Sequence, residues 1–286
     1  MRVLVTGAGG QLGRELCETG KGWTAGDEPL DIVGLDRRQL DVTDPSACRE
    51  AIAAYRPDAV IHAAAWTAVD RAEEEPDEAF RVNAAGTRNM AVAAREGGAK
   101  FCYVSTDYVF DGRSSVPYSE YDLPNPLNVY GKSKLAGERL TQSLADRWFI
   151  VRTSWVYGAY GANFVNTMLR LGAERETVRV VRDQIGSPTW TRDLAEFLLR
   201  LVTTEGYGIY HATNAGHCSW YEFAKAIFEE KGLPATVVPC TTDEFPRPAP
   251  RPAYSVLDHA AIRYHRLPAM RHWREALREF LHGKGH

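Results

Sequence analysis

The chain has 286 residues, 44% apolar and 25% charged, with a formal net charge of -3 at pH 7. That is enough for one large or two modest domains of ordinary globular composition. It offers no basic excess for nucleic acid or an acidic membrane, and no apolar run near the roughly 20 residues of a membrane span. The five cysteines (Cys17, Cys48, Cys102, Cys218, Cys240) are dispersed, with no CxxC, which fits reduced cytoplasmic thiols better than disulfides or zinc.

The opening run MRVLVTG turns at Gly7, too early for a signal-peptide core, and is expected to be a strand of the fold. Gly7-Ala-Gly-Gly10-Gln-Leu-Gly13 follows, and LGRELCE reads as helix. Strand, glycine turn and helix in succession form the context of a dinucleotide-binding loop. One glycine permits the turn, one lets amides approach a pyrophosphate and one lets the helix pack on the strand. The next strand, DIVGLD (31–36), ends in Asp36, where an acid can take ribose hydroxyls. Arg37 and Arg38 come next, and a guanidinium there suits a 2′-phosphate, so NADH and NADPH both stay open. Asp41 and Val42 are placed to flank the adenine.

A helix over 45–55 leads into the strand AVIHAAA, where Ala63, Ala64 and Ala65 leave room for a cofactor at the sheet edge. His62 reads as a core histidine. Glu73-Glu74-Glu75 reads as the solvated face of a helix continuing through residues 82–98. The fourth strand is KFCYVST (100–106), with Cys102 in its core and Ser105, Thr106 and Asp107 at its C-terminal end. Ligands bind at that end of an open parallel sheet, and a hydroxyl there suits a substrate oxygen. A polar stretch (111–126) returns the chain to Tyr130 and Lys134, four residues apart and so on one helix face. An ammonium beside a phenol favours the phenolate and is expected to lower its pKa from about 10, making a proton relay. RWFIVRTS (147–154) is a fifth strand, and the alternation of strands with helices predicts an α/β, doubly wound parallel sheet of Rossmann-like type.

Beyond residue 154 come a helix, a strand with a Gly-Pro loop, the amphipathic helix TRDLAEFLLRLV and the strand YGIYHAT. Ser219 is an expected N-cap, with Glu222 completing a capping box. EFPRPAPRPAYS, with Arg247 and Arg251, reads as a shaped loop, and residues 282–286 as a frayed tail. The expected division gives residues 1–153 and about 177–213 to the dinucleotide-binding domain. Residues about 154–176 and 214–286 form a smaller substrate-binding α/β lobe, with a cleft between.

GAGGQLG, LDVTD, HAAAWTAVDRAE, VNAAGT, VSTDYVFDG, YGKSKLAGE, RTSWVYG, NFVNTML, RDQIGSPTW and RPAYSVLD occur in order. Together they resemble the extended short-chain dehydrogenase/reductase family over nearly the full length, and within it the dTDP-4-dehydrorhamnose reductase branch. The resemblance implies NADPH- or NADH-dependent reduction of the C4 keto group of a dTDP-4-dehydro-6-deoxyhexose, most closely dTDP-4-dehydro-L-rhamnose to dTDP-L-rhamnose. It makes Tyr130 the proton donor, Lys134 its electrostatic partner and a ribose ligand, and Thr106, with Asp107 beside it, the hydroxyl that polarises the carbonyl. It gives Gly7, Gly10, Gln11 and Leu12 to the pyrophosphate, Asp36, Asp41 and Val42 to the adenosine end, and Ala63 to Ala65 to the nicotinamide wall. Trp155 is implied against the sugar, with Thr67, Val69, Asn163 and Arg251 as further sugar-nucleotide contacts. Some members hold magnesium with glutamates at a homodimer interface. Glu15 matches one such ligand, but Arg192 stands where another would be, so no metal is assigned.

Two other readings share these motifs. Related dehydratases resemble Thr-Asp-Glu at the end of the fourth strand, whereas here Tyr108 follows Asp107, which favours reduction over dehydration or epimerisation. The regulatory subunit of methionine adenosyltransferase resembles the same family without being an enzyme. The intact Thr106, Tyr130 and Lys134 set favours catalysis.

Overall fold

A computed structural model of the protein describes residues 1–26 and 28–283. The core is a six-stranded sheet of β1 (Arg2–Thr6), β2 (Asp31–Leu35), β3 (Ala59–His62), β4 (Lys100–Thr106), β5 (Trp148–Thr153) and, later in the chain, β7 (Gly208–His211). Its order is β7-β5-β4-β3-β1-β2, and every neighbouring pair is parallel. A parallel sheet needs crossovers that cover both faces, and its strands therefore read as apolar runs rather than alternations. One face is covered by α1 (Gln11–Thr19) and α6 (Thr191–Val202) in a core containing Leu16, Ile61, Leu194 and Leu198. The other is covered by α2 (Pro45–Tyr55), α3 (Thr87–Glu96) and α4 (Val129–Leu144), around Leu4, Val60, Met90 and Phe101. Burying each such large apolar side chain stabilises the fold by about 1.5–3 kcal/mol.

The α2 helix follows its sequence signals. Asp44 is the N-cap and accepts from the amides of Ser46 and Ala47 at 2.8 and 3.3 Å, with Pro45 in the first turn. The helix expected to continue from the acidic stretch is instead broken into Val69–Glu74, Pro76–Phe80, a π segment over Arg81–Gly86 and α3. Pro76 removes an amide and forces the first break. Within the π segment, Asn83 Oδ1 accepts from the Trp66 amide at 2.8 Å, and its Nδ2 donates to Ser133 Oγ at 2.9 Å. The acidic stretch is only partly a solvated face: Glu73 accepts from the amide of Val129 at 2.8 Å, at the start of α4.

The smaller lobe holds α5 (Phe164–Glu174), β6 (Thr177–Val181), α7 (Trp220–Lys231), β8 (Thr236–Cys240) and α8 (Trp273–His282). Its core contains Tyr157, Trp190, Phe223, Ile227 and Leu277. The strand Thr177–Val181, expected with the dinucleotide-binding domain, instead pairs in parallel with β8. Only α6 and β7 from the 177–213 stretch join the large sheet and its core. Ser219 caps α7 with the expected box: its side chain accepts from the Glu222 amide, and Glu222 accepts from the Ser219 amide. Of the tail expected over 282–286, His282 ends α8, and residues 284–286 lie outside the described residues. Among the described residues no helix is long and apolar enough to cross a membrane.

Candidate active site

A cleft of about 730 Å³ opens at the C-terminal edge of the large sheet, beneath the smaller lobe. That is the size of a cofactor or drug-sized site, at the place where open parallel sheets bind ligands. Its floor is the glycine loop. Gly7 has φ +69°, and a Cβ there would lie 2.7 Å from the backbone of Ala64. A Cβ on Gly13 would collide with the carbonyl of Gly7, so α1 can press on β1 only with glycine there. Gly10, the N-cap, offers no side chain, and the first-turn amides around Gln11 and Leu12 are left to the cleft wall. An anion is favoured at such a helix start. These residues fit a dinucleotide pyrophosphate.

Of the residues expected at the adenosine, Arg37, Asp41 and Val42 line the cleft, but Asp36 does not. The Asp36 carboxylate folds back on its own loop, accepting from the amides of Arg38 and Gln39 at 2.8 and 3.1 Å. Asp41 accepts from the amide and hydroxyl of Thr43, and those bonds hold its carboxyl below the usual range. Ala63, Ala64 and Ala65 line the opposite wall, with Thr67 and Val69 beyond them.

Tyr130 and Lys134 enter from the first turns of α4. Asn128 caps that helix by accepting from the Gly131 amide at 2.7 Å. A Cβ on Gly131 would strike the carbonyl of Tyr108, so glycine lets α4 approach the end of β4. The rings of Tyr130 and Tyr108 meet edge to face, 5.9 Å apart. Thr106 Oγ donates to Asp107 Oδ1 at 3.0 Å and accepts from the Tyr108 amide at 3.2 Å. Lys134 Nζ donates to the carbonyl of Val104 at 2.7 Å and lies 4.0 Å from the centre of the Tyr103 ring.

Burial dominates the charges here. It pushes the Tyr130 phenol up to about 12, with the nearby Thr106 hydroxyl acting the other way. It pulls Lys134 down to about 7, against the charge of Glu138. The lowering of the phenol expected from the neighbouring ammonium is not seen; desolvation decides its pKa. Asp107 is pushed up to about 7 by burial, and its Oδ2 has no partner among the described residues. His62 is a core histidine as expected: it is fully buried and bonded to Thr6 Oγ at 2.8 Å, and burial holds it neutral with a pKa of about 3.

The remaining expected residues sit differently. Trp155 lines the cleft in a left-handed backbone conformation, φ +48°, stacked on Trp220 with ring centres 3.5 Å apart. Asn163 lies off the wall as the N-cap of α5, donating to Gln11 Oε1 at 2.9 Å and so bracing the glycine loop from behind. Arg251 also lies off the wall, paired with Asp70. Ser105 lines the cleft and donates its hydroxyl to Glu138. Asp70, Trp220, Glu138 and Asn83 were not foreseen. Glu138 alone left a trace in the sequence, standing four residues past Lys134 on the same face. Glu15 is buried and accepts from Thr191 Oγ at 2.9 Å, while Arg192 points to Glu196. This donor set, with a guanidinium in place of a second carboxylate, does not fit magnesium. Among the described residues no group of three His, Cys, Asp or Glu side chains could hold a metal ion.

Glycine loop, alanine wall and Tyr130–Lys134 helix around one cleft define a nicotinamide-dependent oxidoreductase of the extended short-chain type. The model of a family described as the RmlD substrate binding domain matches residues 1–284, and the chain belongs to that family. It is 48% identical to a dTDP-4-dehydrorhamnose reductase of Streptomyces griseus, over 97% of this chain and 92% of that one. It is 42% identical to a dTDP-4-keto-6-deoxy-D-glucose reductase of Streptomyces niveus, over 96% of this chain and 95% of that one. The crystal structure of dTDP-4-dehydrorhamnose reductase (rfbD) from Bacillus anthracis in complex with NADP superposes with a TM-score of 0.94, at 47% identity over 98% of both chains.

Proposed function

We propose that the protein uses NADPH to reduce the C4 keto group of a dTDP-4-dehydro-6-deoxyhexose, converting dTDP-4-dehydro-L-rhamnose to dTDP-L-rhamnose. The observation that carries this reading is the convergence of Thr106, Tyr130 and Lys134 on one cleft with the glycine loop. The S. griseus and B. anthracis relatives support the substrate class, and the latter the cofactor. Arg37 on the adenosine wall, with Asp36 drawn back onto its own loop, supports accommodation of a 2′-phosphate.

NADPH, when bound, supplies the hydride. The chain supplies orientation and a proton. The first-turn amides of Gln11 and Leu12 hold the pyrophosphate beside Gly7 and Gly10, and the alanine wall leaves space for the nicotinamide. Tyr130, neutral in its buried setting, donates its proton to the oxygen at C4 as negative charge develops there. Thr106 stabilises the same oxygen by turning its hydroxyl from Asp107 to the substrate. Lys134 favours the phenolate that Tyr130 leaves behind. Tyr108 occupies the position after Asp107, so no carboxylate there serves elimination. All five cysteines are free, four of them buried, which suits a reducing cytoplasm.

Incubation with NADPH and dTDP-4-dehydro-L-rhamnose tests this. We expect one NADPH oxidised per sugar and dTDP-L-rhamnose by NMR. No oxidation of NADPH with any dTDP-4-keto-6-deoxysugar would overturn the reading and favour a non-catalytic partner. The S. niveus relative supports a second reading, delivery of hydride to a different dTDP-4-keto-6-deoxysugar or to its other face, and the C4 coupling constants of the product separate the two.

A further inference from the structure

The catalytic helix carries a third ionisable residue on the face of Tyr130 and Lys134. Glu138 lies one turn past Lys134, so the three stand at i, i+4 and i+8 of α4. Its side chain is buried and held from two strands. Ser105 Oγ donates to Glu138 Oε1 at 2.5 Å, Arg152 Nε donates to the same oxygen at 2.9 Å, and Arg152 Nη2 donates to Oε2 at 2.7 Å. Ser105 and Arg152 are register partners on β4 and β5. Arg152 is equally buried, lies over the Phe110 ring at 5.1 Å and meets His211 Nε2 at 3.3 Å.

Stability alone is a weak reason for such a pair. Desolvating two charges offsets their attraction, and a well-packed apolar replacement is often as stable. The surroundings of Lys134 supply a better reason. Its Nζ contacts the Val104 carbonyl and the Tyr103 ring, neither of which is ionised. Among the titratable groups around it, His62 on β3 is neutral, and Tyr130 on its own helix is a neutral phenol. Asp107, at the end of β4, is pushed towards its neutral form by burial. Burial pulls Lys134 towards its neutral form, and Glu138 is the group that opposes it.

We infer that Glu138, clamped by Arg152 and Ser105, is a positioning residue that keeps Lys134 charged while Tyr130 delivers its proton. This rests on the proposed reduction, in which the ammonium stabilises the phenolate. Removing the charge of Glu138 leaves the cleft in place and narrows the pH range of turnover from its alkaline side.

The test is the pH profile of kcat for Glu138→Gln and Glu138→Asp. In Glu138→Gln the alkaline limb should move down by about one pH unit, the scale expected for loss of a nearby opposite charge. In Glu138→Asp, which keeps the charge, it should stay near wild type. NMR of the side-chain nitrogens in protein labelled with ¹⁵N-lysine, assigned with Lys134→Arg, follows Lys134 directly and needs no sugar nucleotide. Its titration should move in step with the limb. If an unpaired Arg152 unfolds Glu138→Gln, the double variant Glu138→Gln/Arg152→Met is compared with Arg152→Met, so that the two proteins differ only in the charge of Glu138. A folded variant with unmoved limb and unmoved Lys134 titration overturns the inference, as does an equal shift in Glu138→Asp. Failure of the wild-type protein to oxidise NADPH with the sugar would instead overturn the proposed reaction, and the Lys134 titration would still judge Glu138.

Discussion

Arg251 and Asp70 form a two-pronged ion pair, Nη1 to Oδ1 at 2.7 Å and Nη2 to Oδ2 at 3.0 Å. The pair ties the proline-rich loop to the helix Val69–Glu74, which starts at the cleft wall. The Ala249 amide also donates to Asp70, and Asn128, the cap of the Tyr130 helix, donates to the Pro250 carbonyl at 2.9 Å. The loop, the wall and the catalytic helix are thus fastened at one point. Arg251 holds the Asp70 carboxyl below its usual range. A depressed carboxyl contributes stability that is present above its unfolded pKa, near 4, and lost as pH falls through the folded value. Asp70→Asn should lower Tm by about 2–4 °C at pH 7, for a loss of about 1 kcal/mol, and by less at pH 3. It should also raise KM for the sugar nucleotide more than KM for NADPH. Thermal melts at the two pH values and steady-state kinetics check both, and an equal effect at pH 3 and pH 7 would remove the charge from the account.

Tyr130→Phe keeps the ring against Tyr108 and removes the proton. The expected result is a fall in kcat of roughly 10²-fold or more, with NADPH affinity nearly unchanged. Activity within about threefold of wild type would take Tyr130 out of the mechanism.

Thr106→Val keeps the shape and removes the hydroxyl. If that hydroxyl acts on the developing oxyanion, kcat should fall by about 10- to 10³-fold. A change confined to KM would assign Thr106 to ground-state binding instead.

Replacing Arg37 and Arg38 with alanine should shift kcat/KM from NADPH towards NADH and make the ratio less sensitive to salt. Both arginines are exposed, so each contributes only about 0–1 kcal/mol. Wild type should therefore use both cofactors, with NADPH modestly ahead. Discrimination beyond about a hundredfold, roughly 2.7 kcal/mol, would point to a buried contact in place of these two.

Asp107 offers a pH-dependent stability in the opposite sense to Asp70. Its folded pKa, raised to about 7 by burial, means that the native state holds a proton that the unfolded chain releases near pH 4. Its contribution to stability is full below about pH 4 and declines as pH rises to about 7. Asp107→Asn removes the buried charge, so its gain in Tm over wild type should be larger at pH 8 than at pH 5. A gain that does not change with pH would show that Asp107 is ionised at little cost.

The parts legible in the sequence were those set by local spacing. The glycine loop, the Tyr130–Lys134 helix, the Asp44 and Ser219 caps and the apolar parallel strands each follow from residues a few positions apart. What escaped depended on distant partners. Asp70 and Arg251 meet only because the proline-rich loop folds back over the sheet edge; Arg251 was expected at the sugar nucleotide, and nothing local marks Asp70 as its partner. Thr177–Val181 is apolar enough for the large sheet, and only its pairing with Thr236–Cys240 assigns it to the lobe. The phenol of Tyr130 was misjudged for a related reason: spacing gave the neighbouring ammonium, but burial, a property of the packed cleft, outweighs it. Asp36 stands where an acid belongs, yet its own loop amides take the carboxylate.

The place of β7 at the edge of the large sheet governs how the protein can be made on a ribosome. The chain supplies the other five strands first, then passes through α5 and β6 of the lobe and α6 before reaching Gly208–His211. Until those residues leave the exit tunnel, the backbone groups of β5 on that side have no strand to bond, and an open edge invites pairing with another chain. The lobe's own sheet likewise waits for Thr236–Cys240. Both units therefore close only after Gly208–His211 and Thr236–Cys240 have emerged, at about 5–20 residues per second. Nascent chains stalled between Thr153 and Gly208 should be the ones that engage holdase chaperones most strongly, and those stalled beyond Cys240 the first to resist protease.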